Sequence, residues 1–174
     1  AFLGNPGKNY EKTRHNFGFI VGDFFVDKKG LNNKWQNKFH GLYIKDGDNI
    51  LLKPQTFMNI SGQSVYEAAI FFKVKPEDVL VVHDDIELPF GKVKLQLGGG
   101  MGGHNGLRSI KQQLGTDMFS RLRLGVGRPE GKMVVADYVL GRFTPLEENS
   151  LDKVLEEAVV KTTEFLKFGT NGVM

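Results

Sequence analysis

The chain has 174 residues, 40% hydrophobic and 25% charged, a composition suited to one globular domain with a sizeable core. Lysine plus arginine exceed aspartate plus glutamate by 23 to 20, an excess compatible with a polyanionic partner without demanding one. The sequence has no cysteine, which excludes disulfides and thiolate metal sites and favours a cytoplasmic setting; no apolar run approaches the roughly 18–20 residues of a membrane span.

Ala1-Phe2-Leu3 reads as the tail of a strand, so the first strand is expected to be cut short. From Asn16 to Lys29 the apolar residues Phe17, Ile20, Val21, Phe24 and Phe25 follow the helical period. Lys38–Lys45 alternates and predicts a strand. Asn49–Lys53 predicts a second, stopped by Pro54. Ser61–Lys73 carries a helical stripe of Val65, Ala68, Ala69 and Phe72. Val79–Val82 is continuously apolar, as expected of a central strand covered on both faces. Lys92–Leu97 and Arg121–Val126 alternate again, and Leu107, Ile110 and Leu114 mark a short helix between them. The last helix has the clearest start: Thr144 as N-cap, Pro145 at N1 and Glu147 at N3 to close a capping box. Its buried face runs from Leu151 to Leu166, and its end near Met174 looks early.

Strands interleaved with helices predict an α/β fold: a single compact domain over residues 1–174, with a twisted mixed β-sheet flanked by helices. Polar and glycine-rich loops should then gather at the carboxyl ends of the strands, where ligands bind in such sheets. They are Gly4–Gly7, Thr13–Asn16, Thr56–Asn59, His83–Asp85 and Gly98–Gly106.

Each segment also has a plain reading. Gly4–Gly7 makes a turn, Asn16 caps the next helix, His15 is a surface histidine, Asp84 and Asp85 are solvated at a strand end, and Phe57 and Met58 fill the core. The glycine run is harder to read so. It places six glycines among nine residues, which costs backbone entropy unless the chain turns tightly or approaches a ligand. It lacks the Gly-Lys-Ser/Thr ending of a phosphate-binding loop and the context of a dinucleotide fingerprint. The four histidines show no i, i+4 pair for a zinc site. A histidine beside a carboxylate suits general base catalysis. Without a serine elbow or a cysteine, water would be the attacking group. The residues alone reach a hydrolase of a neutral, amide-rich substrate.

Six segments in order carry a resemblance: Leu3–Gly7 with Tyr10, Thr13–Gly18, Pro54–Gly62, His83–Pro89, Gly102–Leu107 and Arg121–Pro129. The sequence resembles bacterial-type peptidyl-tRNA hydrolases along nearly its whole length. The resemblance implies cleavage of the ester between a peptide and the 3′ end of tRNA, in translation and ribosome rescue, by a monomer needing no cofactor or metal. It implies His15 as the base that activates water, Asp84 as the group holding that base, and Asn5 as a reader of the blocked α-amino group. Tyr10, Phe57, Asn59 and Asn105 would line the channel for the tRNA end and the peptide. His104 would support the site, and Arg123 would belong to a basic patch meeting tRNA phosphate. Members often carry a lysine for that phosphate where this chain has Gln96, with Lys92 and Lys94 nearby; they also usually have glycine where Phe2 stands. Two other readings are a silent RNA-binding relative of the same fold and a nucleotide-binding module using the glycine loop.

Overall fold

Two three-stranded sheets are joined through the first three residues. Strands β1 (Gln36–Lys38), β2 (Gly41–Asp46) and β3 (Asn49–Pro54) pair antiparallel in that order. Strands β4 (Leu80–Asp85), β5 (Val93–Leu97) and β6 (Ser120–Gly125) assemble in the order β4-β6-β5, β4 parallel and β5 antiparallel to β6. Phe2 N–H donates to Leu52 O at 2.8 Å, Leu3 N–H to Val82 O at 3.0 Å, and Val82 N–H to Ala1 O at 2.8 Å. Residues 1–3 therefore lie between β3 and β4 and make the whole a mixed sheet. The structure is a computed structural model describing residues 1–173; Met174, with the expectation of an early end there, lies outside the described residues.

The run over β4 is apolar because both of its faces are covered. Leu80 and Val82 enter a core with Phe17, Val21 and Phe25 of α1 (Phe17–Lys28) and Val154, Ala158 and Phe165 of α5 (Pro145–Phe168). Val79 and Val81 enter the opposite core with Val65 and Ala68 of α2 (Ser61–Phe72) and Leu107 and Ile110 of α3 (Asn105–Leu114). Burial of each such side chain stabilises the fold by roughly 1.5–3 kcal/mol. Strand alternation then sends Asp84 to the α1 face, and His83 and Asp85 to the α3 face. The capping box at α5 forms as its sequence predicts: Glu147 N–H donates to Thr144 Oγ1 at 3.1 Å, and Thr144 N–H to Glu147 Oε1 at 2.9 Å. Among the described residues no helix is long and apolar enough to cross a membrane.

One expectation needs correction. Lys38–Lys45 is not one strand: Phe39 and His40 turn the chain at φ 62° and 50° and separate β1 from β2. Such hairpin turns favour Asn-Gly. Here packing holds the strained pair, for Phe39 lies 5.2 Å from the Tyr43 and Phe71 rings. Helix α3 starts earlier than its apolar stripe, at Asn105, because His104 caps it. A short helix, α4 (Val135–Val139), carries no periodic signal at its length.

Candidate active site

Helix α1 brings His15 to the end of β4 because Gly18 lets the two backbones touch. A Cβ at Gly18 would fall 2.5 Å from both Leu3 N and Leu3 O. Arg14, next to His15, is buried and stacks 4.0 Å over the Tyr138 ring; it donates to Tyr138 O at 3.0 Å. The segment that carries His15 is thus pinned between the sheet and α4.

His15 Nδ1 lies 2.9 Å from Asp84 Oδ2 and 3.1 Å from Oδ1. A carboxylate only accepts, so Nδ1 carries the hydrogen and Nε2 keeps its lone pair. Nε2 has no partner among the described residues and is not sealed from solvent. Burial opposes charge on His15, but the charge and hydrogen bond of Asp84 outweigh it and raise its pKa above 6.5. Asp84 is 1% exposed. Its burial works against ionisation, yet His15 and His104 hold it well below the usual carboxylate range.

His104 contacts the same carboxylate from the other side, Nε2 lying 2.9 Å from Asp84 Oδ1. Its Nδ1 accepts from Gly106 N–H at 3.1 Å and Leu107 N–H at 3.3 Å, at the start of α3. The amides and the positive helix end keep Nδ1 unprotonated and place the hydrogen on Nε2. His15, Asp84 and His104 bring ligand-type atoms within 4.8 Å of one another. With hydrogens on both imidazole nitrogens facing Asp84, hydrogen bonding by itself accounts for the cluster.

Asn16 is not the helix cap that its position suggests; it makes no capping bond. It clamps Asn5 instead, accepting from Asn5 N–H at 2.8 Å and donating to Asn5 O at 2.9 Å. Met58 N–H donates to Asn5 Oδ1 at 2.7 Å. Nδ2 of Asn5 is left without a partner among the described residues and is not sealed from solvent.

These groups line a cleft of about 730 Å³. Asn5, Phe57, Asn59, His104, Asn105 and Arg123 line it together with the His15–Asp84 pair. Tyr10 stands behind Phe57, ring centroids 6.3 Å apart in an edge arrangement. Arg123 is not the free cation its place in a basic patch suggests: its Nε–H donates to Asp85 Oδ2 at 2.7 Å and its Nη1–H to Gln96 Oε1 at 3.0 Å. The glycine run covers this side of the cleft in left-handed turns at Gly98, Gly99, Gly102 and Gly103. Buried Arg121 holds it by donating to Gly100 O. Sequence reasoning missed the Asn16 clamp and the α4 wall of Val135, Val139 and Leu140. The apolar Met133–Val135 was the one available signal for that wall.

The family model for peptidyl-tRNA hydrolase matches residues 1–174. The chain belongs to the peptidyl-tRNA hydrolase family. Among its relatives, the peptidyl-tRNA hydrolase of Sulfurovum sp. (strain NBC37-1) is 50% identical over 154 residues, covering 88% of this chain and 81% of that one. That of Bacillus subtilis (strain 168) is 46% identical over 163 residues, covering 91% and 86%. The crystal structure of the family's enzyme from Acinetobacter baumannii superposes with a TM-score of 0.89 at 37% identity, covering 99% of this chain and 89% of that one. The single α/β domain and its mixed sheet are those of the family.

Proposed function

We propose that this chain hydrolyses the ester between an N-blocked aminoacyl or peptidyl group and the 3′ end of tRNA. The observation that carries this reading is the buried Asp84 carboxylate on His15 Nδ1, 2.9 Å away, with Nε2 open to the cleft. Water beside Nε2 attacks the ester carbonyl as His15 takes its proton. Negative charge then develops on the carbonyl oxygen of the tetrahedral intermediate. Collapse breaks the carbonyl–oxygen bond to the ribose, and protonated His15 returns its proton to that oxygen. The products are a carboxylic acid and tRNA with a free 3′ hydroxyl. Asp84 compensates the charge that His15 carries between the two steps.

Asn59 and Asn105 are exposed along the cleft and offer amide groups to a peptide, while Phe57, with Tyr10 packed behind it, offers a ring face to a base. Arg123 belongs with the nucleotide side. The protein acts as a cytoplasmic monomer without a cofactor. The deciding experiment compares release of tRNA from N-acetyl-aminoacyl-tRNA and from free aminoacyl-tRNA. Release from the first alone is expected. Tight tRNA binding without release from either would favour the silent RNA-binding reading.

A further inference from the structure

Asp85 follows the dyad carboxylate in sequence but faces the other side of the sheet, under the glycine loop. Its Oδ1 accepts from Glu87 N–H at 2.8 Å, and its Oδ2 from Arg123 Nε–H at 2.7 Å. Arg123 Nη1–H donates to Gln96 Oε1 at 3.0 Å, and Gln96 is itself held, its Nε2 donating to Gly98 O at 2.9 Å. Two of the three guanidinium nitrogens are therefore fixed. The third, Nη2, has no partner among the described residues, is not sealed from solvent, and belongs to a side chain lining the same cleft as His15.

Resting on the function proposed above, we infer that Asp85 and Gln96 are positioning residues that aim Arg123 Nη2 at a backbone phosphate of the nucleotide chain ending at His15. A long arginine side chain loses rotamer freedom when it binds, and fixing it beforehand moves that cost from binding into folding. A guanidinium held on two nitrogens also presents its remaining hydrogens in one plane, the geometry a phosphate oxygen meets best. Counting charge alone gives the opposite forecast: Asp85 would neutralise Arg123 and weaken a polyanion's binding.

The two are separated by steady-state kinetics on Asp85→Ala, Gln96→Ala, Arg123→Ala and the Asp85→Ala/Arg123→Ala pair. The substrates are N-acetyl-aminoacyl-tRNA and the same N-acetyl-aminoacyl ester of adenosine, which carries no phosphate. Asp85→Ala is expected to raise KM for the tRNA on the order of tenfold, the worth of one hydrogen bond to a charged group. The change in kcat should be much smaller, and the loss on the adenosine ester clearly less than on tRNA. Gln96→Ala should act in the same direction more weakly. In the Arg123→Ala background Asp85→Ala should add almost nothing to KM, because the two act as one unit. A lowered KM in Asp85→Ala, independent multiplying effects in the double variant, or equal losses on both substrates would overturn the assignment. If Asp85→Ala does not fold, Gln96→Ala alone and with Arg123→Ala decides by the same criteria. Wild-type protein that cleaves neither substrate would overturn the underlying function as well, and is distinguishable for that reason.

Discussion

Asn16 holds Asn5 by both of its main-chain polar groups, at 2.8 Å and 2.9 Å, while Met58 N–H takes the Asn5 side-chain oxygen at 2.7 Å. Only the Asn5 Nδ2 group is left to meet a substrate, so Asn5 is equipped to donate to a carbonyl rather than to accept. A free, charged α-amino group at the same place would face a donor and gain nothing. Asn5→Asp should therefore narrow the gap in kcat/KM between N-acetyl-aminoacyl-tRNA and free aminoacyl-tRNA, by about tenfold. Asn16→Ala should lower Tm and activity on both substrates together. An unchanged ratio in Asn5→Asp would move selectivity to Asn59 and Asn105.

His15 must be neutral to act as a base. Its pKa is raised by Asp84, so kcat/KM should fall toward acid with a midpoint above 6.5. Removing the carboxylate's charge in Asp84→Asn should shift that midpoint downward and slow the reaction across the whole range. His15→Ala should cost at least about 10²–10⁴-fold in turnover. A midpoint that stays in place in Asp84→Asn would detach the titration from this pair.

His104 Nε2 lies 2.9 Å from Asp84 Oδ1. With Nδ1 occupied by amides, it has no lone pair free for a cation at Nε2. Exhaustive chelation should leave activity intact. Loss of activity restored by a single divalent ion would show that the cluster binds metal and that water is activated differently.

His83 is 1% exposed, and its Nδ1–H donates to Asp84 O at 2.8 Å. Burial, followed by the neighbouring His104, pushes its pKa down to about 4 from 6.5. Between pH 6.5 and 4 the unfolded chain takes up this proton and the folded one does not, so stability falls as pH falls through that window. The loss amounts to about 3 kcal/mol. His15 works oppositely: its contribution is full below 6.5 and is lost as pH rises through its raised pKa. Asp84 loses its contribution only below the ordinary carboxylate range. Urea unfolding of wild type and His83→Asn at pH 7 and pH 4.5 checks this. The variant should show the smaller difference between the two pH values, whatever its absolute stability; an equal difference would place the acid sensitivity elsewhere.

Much of the fold was legible locally. The Thr144–Glu147 box, the Gly-rich loop and the doubly covered run of β4 each follow from short-range chemistry or from periodic burial. The turn at Phe39–His40 was not, because neither residue prefers a positive φ and only the surrounding aromatic packing holds it there. The site divides in the same way. Its residue types and loops, with the six segments in order, single out His15, Asp84 and Asn5 from sequence. Which atoms meet is a different matter. The His15–Asp84 contact spans 69 positions and the Asn5–Met58 contact 53. No local pattern marks Asn16 as a clamp rather than a cap, or Arg123 as a partner of Asp85 and Gln96. A side chain able to make several hydrogen bonds chooses among them by what packing brings within reach, and here the approach of α1 to the sheet at Gly18 and the fold of the glycine loop decided it.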